Sequence, residues 1–155
     1  CRRLAWYGRG PGETYPDRQA AGGLGLWNTT VDEAFHPYHR PQENGNRGDI
    51  RWLSIGDDET GRLLVESLDR PFAASAWPCS QRDLEETPRP WQLPARDAVT
   101  LHLDAEQMGL GGDNTWGARP YAHHLIDPAR LHTLSLRLRA LPAARGVPRG
   151  LVGAT

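Results

Sequence analysis

Val99-Thr100-Leu101-His102-Leu103-Asp104 alternates apolar and polar residues, and Leu134-Ser135-Leu136-Arg137-Leu138-Arg139 repeats the pattern. A period of two places the apolar side chains on one face of a strand, because successive side chains point to opposite faces. Each segment is therefore predicted to be a strand with one buried face. Strands of this kind are typical of antiparallel sheets, in which the second face is open to solvent.

Turn residues and shorter apolar segments fill the rest of the chain. Further strands are predicted at residues 2–7, 26–31, 49–55, 62–68 and 72–77, with a weaker one at 121–126. The polar turn at 56–61 favours a hairpin between two of them. Residues 8–25 and 36–48 are rich in helix and strand breakers and are predicted to be loops. Ser80, with Asp83 three residues on, resembles a helix N-cap and predicts one short helix that ends before Pro88.

Composition indicates the fold class of the chain and the kinds of partner that its charge does not favour. Its 155 residues fit one domain, and 17 Gly with 13 Pro indicate a loop-rich, all-β fold, most like an antiparallel sandwich. A net charge of -1 gives no general attraction to nucleic acid or to acidic membranes. No run of about 18 apolar residues suggests a membrane span. Two cysteines do not form a disulfide framework, and we expect a reducing, cytoplasmic location.

Titratable residues form no strong catalytic or metal-binding pattern. The acidic groups Asp57-Asp58-Glu59 and Glu85-Glu86 fall on a turn and a short helix, where solvated charges are the simpler interpretation. The histidines of 36–39 and 123–124 lack the paired cysteines and spacing of a strong zinc site. We therefore predict no catalytic residue and no metal ligand in this chain.

The segment from Gln107 to Arg119 surrounds Trp116 with glycines and with Asp113 and Asn114. Glycine permits positive φ and close approach of backbones, and Asp and Asn hold turns through their side chains. Two interpretations are open. Trp116 is either a core residue on a tight turn or a flat apolar face presented to a ligand.

Three loop motifs occur in a fixed order. They are Trp6-x-Gly-x-Gly-Pro-x-Glu-x-Tyr-x-Asp-Arg, then Pro41-Gln42-Glu43-Asn44-Gly45 with Arg47, and then Met108-Gly109-Leu110-Gly111-Gly112-Asp113-x-x-Trp116. Together they closely resemble the C-terminal domain of the large bacterial β-galactosidases of glycoside hydrolase family 2. The resemblance runs from Trp6 to about Leu141 and therefore covers most of the chain.

The resemblance implies a fold and a site. The fold is a partial antiparallel supersandwich of the galactose mutarotase type, and the activity is that of a retaining glycosidase in lactose catabolism. Trp116 is implied to contact the galactoside, with Gly111, Gly112, Asp113 and Asn114 as the loop scaffold. The catalytic glutamates and the magnesium and sodium ligands of the family lie in other domains. The implied partners are a β-galactoside and the catalytic barrel domain of the parent enzyme.

The range of residues that resembles the family gives the expected domain boundaries. Residues 1–141 correspond to the C-terminal part of the small-chain domain, whose N-terminal half is not represented, and residues 142–155 are expected to be a disordered tail. The isolated chain is expected to be inactive. Two alternatives stay open: a stand-alone carbohydrate-binding or mutarotase-like module, with His102, His123 or Glu106 as its only acid/base candidates, and an inactive truncated remnant.

Overall fold

The computed structural model describes residues 2–114 and 116–143, which form eight strands, two short α-helices and two 3-10 turns. The strands are β1 (Arg3–Gly10), β2 (Gly23–Thr30), β3 (Arg47–Ile50), β4 (Trp52–Asp57), β5 (Gly61–Ser67), β6 (Phe72–Trp77), β7 (Thr100–Asp104) and β8 (Leu136–Leu141). The helices are α1 (Val31–Ala34) and α2 (Gln81–Glu86), and the 3-10 turns are Pro90–Gln92 and Ala122–His124.

Two antiparallel sheets enclose the main core. The first has the order β2-β1-β4-β5-β8 and the second the order β3-β6-β7. The buried residues between them are Leu4, Trp6, Val31, Ala34, Ile50, Leu53, Val65, Phe72, Ala74 and Ala76. Leu101, Leu103, Leu134 and Leu136 pack against this core, as their alternation predicts. The all-β sandwich prediction is confirmed, and its assignment to the supersandwich type stays a prediction.

One predicted strand is in fact two. The segment 49–55 divides at Arg51, so that β3 ends at Ile50 in one sheet and β4 begins at Trp52 in the other. Asp49 adopts a φ of 54°, and the Arg51 N–H donates to the Tyr7 carbonyl at 2.8 Å. Ile50 faces the main core, whereas Trp52 packs in a separate cluster with Leu64. The chain therefore crosses from one sheet to the other at Arg51.

The loop predicted at residues 8–25 is shorter than expected. β1 continues to Gly10 and β2 begins at Gly23, and these two glycines are paired across the strands. The Trp27 ring covers Gly10, where an added Cβ would lie 2.8 Å from the indole. Glycine is therefore needed in this strand for close packing and does not mark a turn.

Helix capping explains where α2 begins and where β2 ends. The predicted N-cap is confirmed, because the Ser80 side chain accepts from the Asp83 N–H and the Asp83 carboxylate bonds the Ser80 N–H in return. β2 ends at Thr30 and not at Val31, because Thr30 and Glu33 form a second capping box that starts α1. The helix α1 was not predicted from the sequence, since its four residues are too few for a periodic pattern.

The weak strand predicted at 121–126 is wrong. The 3-10 turn Ala122–His124 occupies this segment, with the Leu125 N–H donating to the Ala122 carbonyl at 3.2 Å. Of the tail predicted at 142–155, residues 144–155 lie outside the described residues, and that prediction stays untested.

A matched pair of leucines on neighbouring strands tests the core. Leu64 on β5 is fully buried, whereas Leu138 on β8 is 57% exposed. Leu64→Ala should lower the free energy of unfolding by about 2–5 kcal/mol because it leaves a cavity. Leu138→Ala should change it by about 0.5 kcal/mol or less. Urea denaturation of both variants measures the difference, and equal losses would contradict the described packing.

Candidate functional site: the Trp116 loop

The loop at residues 107–118, called here the Trp116 loop, follows β7 and projects Trp116 into solvent. The Trp116 side chain is 91% exposed, and Leu110 and Met108 in the same loop are also exposed. Most tryptophans in folded proteins are largely buried, so this exposure is unusual. Trp116 is therefore not a core residue of the described structure, and its contact with a ligand stays a prediction.

The base of the Trp116 loop is held by one carboxylate from a distant part of the sequence. The two oxygens of Asp17 accept the N–H groups of Leu110 at 3.0 Å and Gly111 at 2.8 Å. Arg18, the next residue, donates to the Gly111 carbonyl. The Asp17 side chain is only 8% exposed, whereas the Arg18 side chain beside it is 44% exposed, so the carboxylate is the shielded member of these charge-assisted bonds. We call this arrangement the Asp17 clamp.

Electrostatics agree with this geometry. Burial alone would raise the pKa of the Asp17 carboxyl, but the N–H groups of Leu110 and Gly111 and the charge of Arg18 lower the pKa below its usual value. Asp17 is consequently ionised near neutral pH and accepts both bonds as a carboxylate.

Glycines shape the turn above the clamp. Gly111 has a φ of 67° and Gly112 a φ of 78°, a region that favours glycine. A Cβ on Gly111 would also lie 2.5 Å from the Ala118 carbonyl oxygen. The Gly112 N–H donates to that same carbonyl at 2.9 Å, and this bond joins the two ends of the turn that carries Trp116.

The two polar scaffold residues also have partners. The Asn114 side chain accepts from the Trp116 N–H at 2.8 Å, which fixes the backbone next to the indole. The Asp113 carboxylate near the Tyr121 hydroxyl raises the pKa of Tyr121. All four residues predicted as scaffold therefore lie in the turn that carries Trp116.

Hydrogen bonds made by Glu13 and Tyr15, which lie just before Asp17 in the first motif, hold the second motif loop in place. Glu13 accepts from the Gly45 N–H at 2.8 Å and from the Tyr38 hydroxyl. Tyr15 donates to Glu43 at 2.8 Å. Burial, followed by the hydrogen bond to Glu13, raises the pKa of Tyr38 to about 12. Burial likewise raises the pKa of Tyr15, so both hydroxyls stay protonated donors at physiological pH.

His123 and Glu106, two of the acid/base candidates singled out in the sequence, contact other side chains. His123 and His124 contact each other with ring centroids 4.0 Å apart. Glu106 accepts from Arg70 and Arg130, and these contacts lower the pKa of Glu106 although its burial opposes them. A carboxylate held in its ionised form is poorly suited to donate a proton.

Metal binding finds no support in this part of the molecule. Within residues 2–114 and 116–143, no three or more His, Cys, Asp and Glu side chains come together in a way that could hold a metal ion. In the described part of the chain, no helix combines the length and apolar character needed to cross a membrane.

Sequence reasoning missed Asp17 and Arg18 as part of the site. Both lie in the first motif, 93 and 94 residues before the groups that they bind. Their position in that motif was the available signal, but nothing in the local sequence shows which backbone groups they contact.

The fold and site thus define a two-sheet β protein that carries an exposed tryptophan on a clamped loop. The chain belongs to the β-galactosidase small-chain family, whose model, described as beta galactosidase small chain, matches residues 1–138. This confirms the family inferred from the three loop motifs.

Curated relatives carry the same family name. The chain is 38% identical over 138 residues to a β-galactosidase of Priestia megaterium, covering 89% of this chain and 13% of the relative. It is 38% identical over 138 residues to β-galactosidase BgaC of Bifidobacterium adolescentis, covering 88% and 13% respectively. A β-galactosidase of Streptococcus thermophilus is 35% identical over 138 residues, covering 89% and 14%. The chain therefore spans about an eighth of the length of these relatives.

Removing the clamp should loosen the loop. Asp17→Asn leaves one oxygen acceptor and replaces the other with an amide, so one of the two N–H groups loses its partner. Because hydrogen bonds to charged groups contribute about 1.5–3 kcal/mol, amide exchange at Leu110 or Gly111 should accelerate by about tenfold or more. Asp127→Asn, on an exposed aspartate that caps another turn, is the matched control. Unchanged exchange at both amides would show that the clamp does not restrain the loop.

The clamp should also respond to acid. The pKa of Asp17 is lowered in the folded state, so its contribution is complete above the unfolded-state pKa of about 3.9. That contribution is lost as the pH falls through the lower folded-state pKa. Exchange rates of the Leu110 and Gly111 amides, corrected for intrinsic pH dependence, should be constant near neutrality and rise only below about pH 4. An onset near pH 6 would assign the loop to a different titrating group.

Proposed function

We propose that this chain supplies one wall of the galactoside-binding site of a β-galactosidase and that the sugar lies against Trp116. One observation carries the proposal: the indole is 91% exposed although the loop beneath it is clamped by Asp17 and Arg18. An exposed aromatic face on a clamped loop is suited to the apolar side of a pyranose. The β-galactosidase names of the relatives supply the sugar class.

The size of the contact limits what Trp116 does. If a sugar covers about 100 Å² of the indole, burial contributes about 2.5 kcal/mol at about 25 cal/mol per Å². A millimolar dissociation constant already requires about 4.1 kcal/mol. Trp116 is therefore a specificity wall, and polar groups outside the described residues supply the remaining affinity. We assign those groups to the catalytic barrel of the parent enzyme.

Catalysis is also assigned to other domains. A retaining glycosidase needs two carboxyl groups about 5–5.5 Å apart across the scissile bond. The acidic groups predicted to be solvated do not meet this need, because Asp57 caps its own turn and Glu86 pairs with Arg82 on the surface. We further propose that the magnesium and sodium ligands lie outside this chain. A cytoplasmic location belongs to the same proposal and is supported by the free, buried thiol of Cys79.

Substitution of the tryptophan should weaken substrate binding. In the parent enzyme, Trp116→Ala should raise KM for a β-galactoside by roughly 10- to 50-fold, the equivalent of about 1.4–2.4 kcal/mol. Trp116→Phe should have a smaller effect because it keeps an aromatic face. Trp91→Ala is the matched control, since Trp91 is also an exposed tryptophan at 72% but lies in another turn. Unchanged KM and inhibitor affinity in Trp116→Ala would end the role given to Trp116.

The isolated chain should not hydrolyse a β-galactoside. Purified 155-residue protein should give no turnover of a chromogenic β-galactoside above the uncatalysed rate, because the required carboxyl pair is assigned elsewhere. Turnover that co-purifies with the chain and is lost on Glu106→Gln would instead favour a catalytic site within it.

A further inference from the structure

A second concave site lies away from Trp116, on the outer face of the three-stranded sheet. It is a cleft of about 590 Å³ between β6, β7, helix α2 and the second motif loop. Its volume falls within the range of about 300–1,000 Å³ that is typical of small-molecule sites. Trp116 does not line it, and the cleft touches the Trp116 loop only at the base, through Gln107. We call it the β6–β7 cleft.

Strand register builds the floor of the β6–β7 cleft. Ser75 is paired with His102. The pairs two positions away along the strands, on the same face, join Ala73 to Asp104 and Trp77 to Thr100. These side chains share one face, whereas Leu101 and Leu103 point to the core on the other. The apolar side chains of β7 therefore pack in the core, and its polar side chains face the cleft.

Two polar groups on this floor lack protein partners. The His102 Nε2 atom is buried and has no hydrogen-bond partner among the described residues. Its ring packs on Trp77 with centroids 4.2 Å apart, which fixes its orientation. No described residue donates a hydrogen bond to the Asp104 carboxyl, and burial raises the pKa of that group. Buried polar atoms are normally bonded, so an unpaired imidazole nitrogen at the floor of a cleft is available to a ligand, and the half-buried Asp104 carboxyl lies beside it.

The wall opposite the floor is also polar and is held in place. One oxygen of Glu43 accepts from Tyr15 at 2.8 Å, and the other lies 3.4 Å from the Gln107 amide nitrogen. Glu85 and Arg40 complete the charged lining, and Pro41 and Leu84 add apolar surface. Three carboxyl groups against one guanidinium disfavour an anionic ligand.

The lining matches hydroxyl groups best. Carboxylates only accept hydrogen bonds, a guanidinium and an amide N–H only donate, and a neutral imidazole nitrogen does either according to its tautomer. A hydroxyl group donates and accepts, so it can satisfy every member of this mixed set. A ligand with several hydroxyl groups and an apolar face also suits Leu84 and Pro41.

We propose that the β6–β7 cleft is a second carbohydrate-binding site, which takes a neutral pyranose through His102, Asp104 and Glu43. This site is independent of Trp116 and of the galactoside site assigned above. It would hold a sugar on the domain surface without cleaving it.

The test is a titration of the ¹⁵N-labelled 155-residue chain with methyl β-galactoside and methyl α-glucoside, followed by NMR. Either neutral sugar should shift the amide signals of His102 and Asp104 in a saturable manner. Galacturonate should bind at least about tenfold more weakly because of the acidic lining. Putrescine tests the alternative that the carboxylates select a cation.

Variants connect the shifts to the cleft. Asp104→Asn should weaken sugar binding about tenfold and His102→Gln by a similar factor, whereas Asp97→Asn, on an exposed aspartate outside the cleft, should not change it. The shifts at His102 and Asp104 should persist in Trp116→Ala. Near-UV circular dichroism checks that each variant is folded.

Three results would overturn the proposal. They are an absence of saturable shifts at His102 and Asp104 with both neutral sugars, tighter binding of putrescine than of either sugar, and an unchanged dissociation constant in folded Asp104→Asn. Shifts confined to residues 108–118 would assign sugar binding to the Trp116 loop alone.

Discussion

The hydrogen bonds made by residues 13–18 hold the other two long loops in place. Glu13 and Thr14 bond the backbone of the loop around Gly45, Asn46 and Gly48, and Asp17 with Arg18 bonds the backbone of the Trp116 loop. Long loops without regular structure must find partners for their backbone N–H and C=O groups. Here one segment supplies many of those partners to both loops. The position of Trp116 therefore depends on residues nearly one hundred positions earlier in the chain.

The Trp116 loop has a fixed base and a solvent-exposed tip. The base of the Trp116 loop is fixed by charge-assisted bonds and by glycines with positive φ, while the indole at its tip stays in water. A ligand that meets such a tip loses little free energy to loop ordering, because the order already exists. The same logic applies to the β6–β7 cleft, where Tyr15 orients Glu43 and Trp77 orients His102 before any ligand arrives.

Local pattern predicted most of the fold, and long-range contacts explain the rest. Alternation located β7 and β8, and the Ser80 cap located α2, because each signal lies within a few residues. The division of 49–55 into two strands was not predicted, because no glycine or proline interrupts this segment and the positive φ of Asp49 exists only in the folded chain. The motifs indicated Trp116 and four residues of its loop, and their role in a binding site stays a prediction. The same motifs did not reveal the Asp17 clamp, because the contact between residues 17 and 111 exists only in the folded chain.

The central claim is that Asp17 acts on galactoside binding by positioning Trp116, and a double-mutant cycle tests it most directly. Inhibitor dissociation constants of the parent enzyme are measured for the unsubstituted protein, Asp17→Asn, Trp116→Ala and the double variant. If the claim holds, Asp17→Asn weakens binding in the presence of Trp116 and has little further effect in the Trp116→Ala background. Strictly additive effects would contradict it, because Asp17 would then influence binding by a route that does not pass through the tryptophan.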